Sequence, residues 1–109
     1  MVNAVLSPLA KADMQEIGDY ISQSLHNPTA AQQLIRRFRE AITSLRSFPE
    51  MGTPLSSEPS DRIPYRYIIC GSYMIFYHFA AGTVYVDRVL YGRRDYMALL
   101  FGNQLTEDE

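Results

Sequence analysis

Apolar residues recur along this chain at two different spacings. From Met14 to Leu45 they return every three or four positions, and from about residue 63 to residue 91 they alternate or run together. The first pattern predicts helix and the second strand. Ahead of both, "VNAVL" at 2–6 is a short apolar run closed by Ser-Pro, which reads as a first strand. Ser7 has the side chain of an N-cap, and Pro8 suits a first helical position, where its missing N–H costs nothing. Met14, Ile17, Ile21 and Leu25 then share one stripe, with Asp13, Glu16 and Asp19 largely off it, so the first helix is amphipathic with an acidic outer edge. "HNP" at 26–28 ends it, with Asn27 as the next cap and Pro28 opening a second helix. There Ala31, Leu34, Ile35, Phe38, Ile42 and Leu45 form the apolar stripe, and Arg36, Arg37, Arg39 and Arg46 mostly fall outside it. So short a connection implies an antiparallel αα-hairpin. Acids of the first helix are expected to pair with arginines of the second, a reading favoured over an external nucleic-acid face.

"FPEMGTPLSSEPSD" at 48–61 is rich in proline, serine and glycine, and reads as a loop. After it the period becomes strand-like. "RIPYRYIIC" alternates Ile63, Tyr65, Tyr67 and Ile69 with Arg62, Pro64, Arg66 and Ile68, and the proline belongs at a strand start or an edge. "GS" at 71–72 is a hairpin turn. "YMIFYHF" is apolar at nearly every position, as in a central strand covered on both faces. A second turn, "AAGT", leads into "VYVDRVLY", with Val84, Val86 and Leu90 on one face and Tyr85, Val89 and Tyr91 on the other. A short helix is expected from about Arg93 to Leu100, with Gly102 at its end. The sum is an α+β fold of order β-αα-βββ(α), an antiparallel sheet with a helical hairpin packed on one face. One domain over residues 1–101 is followed by an acidic tail, 102–109.

A chain of 109 residues, 47% apolar and 20% charged, fits one ordinary globular core. No run approaches the ~20 apolar residues of a membrane helix, and the N-terminus lacks a signal-peptide pattern, so no membrane association and a cytoplasmic protein are expected. Cys70 is read as a small apolar strand residue, because no neighbouring pattern would depress its pKa. The net charge is −2, and the body without the final Glu-Asp-Glu is close to neutral. Lys11 is the one lysine; every other basic residue is arginine, whose planar fork suits carboxylate or phosphate.

The element order, the loop "FPEMGTP", the hairpin "YIICGSYMIFYHF" and the ending "VDRVLYGRRDYMALL" resemble the RelE/ParE superfamily of toxins from type II toxin–antitoxin systems. The resemblance runs from the first strand to about Leu100. It implies a small cytoplasmic protein that inhibits growth and is neutralised by a cognate antitoxin, whose helical or extended segment wraps over the toxin. RelE-like members cut messenger RNA on the ribosome, whereas ParE-like members are known as gyrase poisons.

Metal-free RNA cleavage needs a group to take the 2′-hydroxyl proton, charge to stabilise the phosphorane and an acid for the leaving oxygen. In RelE-like nucleases the resemblance places this work on basic residues of the middle strands, an arginine after the hairpin tyrosine, an arginine after the last strand and a C-terminal tyrosine or histidine. In this chain Met74 follows Tyr73. Arg94 matches the arginine after the last strand, and Arg66 can stand for one basic residue of the middle strand, while Ile68 replaces a second. Leu100 holds the C-terminal tyrosine position, with Tyr96 as the substitute from another turn. The near-neutral body also lacks the basic surface that ribosome docking favours.

The expected function is therefore that of a ParE-like (plasmid stabilisation) toxin that binds a cellular target, with DNA gyrase foremost, and is not an enzyme. The alternatives are a ribosome-dependent endoribonuclease acting on mRNA through Arg66, Arg94 and Tyr96, and an inactive relic that still binds antitoxin. No cofactor or metal is expected, and self-association or a toxin–antitoxin hetero-oligomer both stay open. The expected docking corner is Arg93, Arg94, Asp95 and Tyr96, which Gly92 releases from the strand and where Asp95 suits a first helical turn. Arg62 and Arg66, interleaved with Tyr65 and Tyr67, extend it with the composition of a nucleic-acid or acidic-peptide contact; an ordinary solvated edge strand explains them equally well. His78, on an apolar strand, is read as a core or subunit-contact histidine rather than a base.

Overall fold

A computed structural model of the chain describes residues 1–55 and 64–92. Strand β1 (Asn3–Leu6) leads into helix α1 (Pro8–Asp19), a π-helical segment (Tyr20–Ser24) and helix α2 (Pro28–Ser47). Strands β2 (Thr53–Pro54), β3 (Arg66–Cys70), β4 (Tyr73–Ala80) and β5 (Thr83–Tyr91) follow. They form one sheet of order β1-β5-β4-β3-β2. Neighbours are antiparallel except that β1 runs parallel to β5, because the helical hairpin carries the chain across the sheet as a crossover. The expected β-αα-βββ order and its helical layer are present.

The caps are as the sequence implies. Ser7 Oγ accepts the Ala10 N–H at 3.0 Å and Asn27 Oδ1 accepts the Ala30 N–H at 3.1 Å, each satisfying one of the unpaired donors of a helix start. Phe38, Ile42 and Leu45 of α2 meet Ala10 and Met14 of α1 over Ile75, Tyr77, Val84, Val86 and Val89 of the sheet. Ile75, Phe76 and Tyr77, consecutive on β4, are all fully buried, so this strand is covered on both faces. Each such large apolar side chain contributes about 1.5–3 kcal/mol on burial.

The first helix departs from expectation at its end. Regular α-geometry stops at Asp19, and the wider π-turn, with the Leu25 N–H donating to Tyr20 O at 3.1 Å, leaves Leu25 exposed instead of continuing the Met14–Ile17 stripe. The strand expected from Arg62 is regular only from Arg66; Pro64 precedes it, and the Tyr65 carbonyl accepts the Leu55 N–H at 2.9 Å. The loop after α2 contains the two-residue edge strand β2, where Pro54 is tolerated because the outer side of an edge strand has no neighbour to receive a donor.

A β-bulge alters β5. Its register with β4 steps from Phe76↔Arg88 to Tyr77↔Val86, leaving Asp87 unmatched. The extra residue reverses the alternation, so Val89 joins Val84 and Val86 on the helix-facing side and Leu90 turns to the other face. That corrects the expected grouping of Leu90 with Val84 and Val86. Helix α1 holds the bulge. The Ser7 N–H donates to Val86 O at 2.9 Å, and Ser7 Oγ donates to Asp87 O at 2.8 Å.

Asp13 is buried rather than part of an acidic outer edge. Where β1 ends, its carboxylate takes the place of a strand partner for β5, accepting the Val89 N–H at 3.0 Å and both Nε and Nη2 of Arg88 at 2.7 and 2.9 Å. This bond, with burial and the charge of Asp13 acting as smaller opposing and supporting influences, raises the Arg88 pKa. Among the described residues no ion pair joins the acids of α1 to the arginines of α2, contrary to expectation. The one buried acid of α1 is claimed by the sheet, and Arg46 instead donates to Val2 O at 2.9 Å.

Candidate functional site

Of the residues singled out for binding or chemistry, Arg62, Arg93, Arg94, Asp95 and Tyr96 lie outside the described residues, as does Leu100. Arg66 can be placed. It stands at the start of β3 opposite Tyr77, whose side chain belongs to the helix-facing core. Its Nη1 donates to two backbone carbonyls of the loop after α2, Gly52 O at 2.8 Å and Glu50 O at 3.2 Å.

The buried Tyr77 grips the same loop. Its hydroxyl donates to Pro49 O at 2.8 Å and accepts the Gly52 N–H at 2.9 Å. Gly52 is the residue this approach requires, because a Cβ there would lie 2.6 Å from the Tyr77 hydroxyl and 2.9 Å from Tyr67 O. Burial pushes the Tyr77 hydroxyl pKa up, against the pull of the Gly52 hydrogen bond and the Arg66 charge. Arg66 and Tyr77 thus form one clamp on residues 49–52.

The sheet face away from the helices has different chemistry. Register and alternation place Tyr67, Ile69, Met74, Phe76 and Leu90 on it. Met74 therefore sits among aromatic and aliphatic neighbours. Arg88 is in register with Phe76, but its guanidinium is turned to Asp13. At one end of this face His78 Nδ1 lies 2.7 Å from Asp87 Oδ2, both side chains 22% exposed. The ring stacks on Tyr85 (centroids 5.1 Å, 17° between planes) and meets Tyr65 edge-on at 5.9 Å. The bulge aims Asp87 at His78. With Asp87 ionised it can only accept, so Nδ1 carries the proton and the ring is held in one tautomer. Burial pushes the Asp87 carboxyl above its usual value, partly offset by the His78 hydrogen bond and charge. His78 is thus half-buried rather than a wholly buried core residue.

Cys70 is buried and its thiol pKa is raised by burial, with Arg37 pulling it down, as fits a packing residue. Among the described residues no three of His, Cys, Asp and Glu come together as metal ligands, and no helix is long and apolar enough to cross a membrane. Sequence reasoning missed Asp13, Asp87 and Gly52 as structural determinants. A glycine inside "FPEMGTP" was the visible signal for the last.

Comparison with known proteins agrees on one kinship. Residues 4–96 match the family model described as the ParE toxin of the type II toxin–antitoxin system parDE. The chain is 31% identical over 94 residues to the protein named Toxin RelE2 of Caulobacter vibrioides, covering 86% of this chain and 99% of that one. Its fold is similar to a chain in the structure titled chromosomal ParDE TA system from P. aeruginosa, with a TM-score of 0.68 and 16% identity, over 84% of this chain and 96% of the other.

Proposed function

The chain belongs to the ParE toxin family of type II toxin–antitoxin systems, and from that premise we propose that it inhibits growth by binding a cellular target, DNA gyrase foremost, in the cytoplasm. An antitoxin encoded beside it neutralises it, and the docking corner comprises Arg93, Arg94, Asp95 and Tyr96, together with Arg62. Plasmid stabilisation is the corresponding biological role.

The observation that carries this reading is the character of the sheet face around Met74. The nuclease branch that the sequence resembles uses an arginine at this position to stabilise charge on the phosphorane, and a preorganised donor of that kind is worth ~10²–10³ in rate. Here the position is apolar and its neighbours Tyr67, Ile69 and Leu90 offer no cation. Arg66, which would supply another, spends its hydrogen bonds on Gly52 O and Glu50 O. A binding toxin needs neither.

The test runs two assays in parallel on the purified full chain, DNA gyrase supercoiling and ribosome-dependent cleavage of messenger RNA. Inhibited supercoiling with intact RNA is the expected result. Cleavage that disappears in Arg94→Ala, with supercoiling untouched, would assign the chain to the nuclease branch. Induced expression without loss of growth would instead make it an antitoxin-binding relic.

A further inference from the structure

The outer side of the helical hairpin carries a crevice between α1 and α2. It consists of two adjoining hollows of about 450 and 420 Å³ that share Gly18, Ile35 and Arg39. Arg36 and Arg39 rim it from α2, ~4.5 Å apart along the helix axis, with Gln32 on the same face. Lys11 and Gln15 rim it from α1, and Ser22 from the π-helical segment. Asp19 is the single acid among these lining residues.

The three cations of the crevice are uncommitted. Elsewhere Arg46 donates to Val2 O, Arg66 to Gly52 O and Glu50 O, and Arg88 to Asp13. Lys11, Arg36 and Arg39 are exposed, and their side chains form no ion pair or hydrogen bond among the described residues. The pairing expected between acids of α1 and arginines of α2 is absent, so the alternative, an external nucleic-acid face, keeps the residues that pairing would have consumed. The other acids of the hairpin point elsewhere: Asp13 is buried against Arg88, Glu16 lies beside Tyr73 and Tyr91, and Glu40 acts on Cys70. Arg62, Arg93, Arg94 and the acids of 56–63 and 93–109 lie outside the described residues.

We infer that this crevice seats the sugar-phosphate backbone of duplex DNA, at a site separate from the docking corner of 93–96. Arginine forks donate to phosphate oxygens in pairs, and Gln15, Ser22 and Gln32 add neutral donors of the kind that position a protein on a backbone. No aromatic residue lines the crevice, so it lacks the stacking platform that holds single strands. A duplex presents a rigid row of charge, one per ~1.7 Å of axis, whereas an acidic peptide would have to be ordered to make the same three contacts. Contacts of this kind carry no sequence information, so the binding is independent of base sequence.

Binding of the full chain to a labelled ~20-base-pair duplex of mixed sequence is followed by fluorescence anisotropy from ~50 to ~200 mM NaCl. Three cations imply a slope of log affinity on log salt of about −2.7, a roughly 40-fold loss across that range. Lys11→Ala, Arg36→Ala and Arg39→Ala should each flatten the slope by about 0.9, and Asp19→Asn should tighten binding ~2–3-fold. Arg37→Ala, on the side of α2 over the β3–β4 turn, should keep the wild-type slope. All five positions are exposed, and a thermal melt of each variant checks that it folds. Wild-type chain that binds no duplex at ~50 mM NaCl overturns the inference. So does an unchanged slope in the double variant Arg36→Ala, Arg39→Ala, or a slope lost instead in Arg93→Ala, Arg94→Ala, which would move the contact to the docking corner. Equal or tighter binding of a single strand or of a ~20-residue polyglutamate, with the same sensitivity to Arg36→Ala, would make the crevice a site for another anion and overturn it as well.

Discussion

Removing the Tyr77 hydroxyl tests the loop clamp without disturbing the core. Tyr77→Phe keeps the ring in its fully buried position and deletes one donor and one acceptor, leaving the buried Gly52 N–H and Pro49 O without their partner. A satisfied hydrogen bond contributes a net ~0.5–1.5 kcal/mol, and a buried donor left unmatched costs ~1–3 kcal/mol. Arg66 still holds Gly52 O and Glu50 O, so the loop keeps part of its tether and the expected loss is about 2–3 kcal/mol. Urea unfolding of wild type and variant measures it directly, and the melting temperature should fall by about 10–20 °C. Because Arg66 and Tyr77 grip one segment, Arg66→Met in both backgrounds should reveal a coupling of about 0.5 kcal/mol or more. A Tyr77→Phe loss below about 0.5 kcal/mol would refute the claim that this hydroxyl orders the loop.

The same residue gives the experiment a second readout. Burial raises the Tyr77 pKa above its ordinary 10.0, so the native state keeps its proton at a pH where the unfolded chain has lost it. This contribution is complete below about pH 10 and is lost as pH rises through the higher native value. Stability should therefore fall on the alkaline side, and Tyr77→Phe should make that fall shallower. An unchanged alkaline slope would contradict the assigned direction.

Two further substitutions address other parts of the fold. Asp13→Ala strands the Arg88 guanidinium and the Val89 N–H, and should cost about 3–5 kcal/mol in urea unfolding; adding Arg88→Met should recover part of it by removing the orphaned charge. Ala81 has φ +52° in the β4–β5 turn, beside Gly82 at φ +77°. Ala81→Asn should stabilise by about 0.5–1 kcal/mol, since asparagine tolerates the left-handed region better, and the melting temperature should rise by a few degrees.

Element order was legible because each element announces itself locally. Ser7-Pro8 and Asn27-Pro28 mark helix starts, the α2 stripe from Ala31 to Leu45 keeps one period throughout, and the glycines at 71 and 82 sit at positive φ in the turns. What escaped was set by partners distant in sequence. Asp13 looks like any surface acid on a helix until β1 ends early enough to leave β5 an open edge, and its partners lie some 75 residues away. The bulge at Asp87 has no local signature, since "VDRV" reads as ordinary alternation, yet it decides which face Val89 and Leu90 occupy. Arg66 shows the limit most plainly for the site. An arginine between tyrosines matches a contact surface in composition, but strand register alone points it toward Tyr77 and the loop.

Helix α1 acts on β5 at two points, through Ser7 at the bulge and through Asp13 two residues beyond it, and this has a consequence for reading mutations. The residues that fix α1 are buried or half-buried and face the sheet. The residues offered outward, Glu16 on α1 and Tyr20 at the start of the π-helical segment, follow within two turns. Substitutions at Ser7 or Asp13 should lower stability and shift the outward residues together, because they move α1 against β5 as well as loosening it. Substitutions at Glu16 or Tyr20 should change unfolding little. A loss of growth inhibition caused by Asp13→Ala is therefore no evidence of a contact at Asp13.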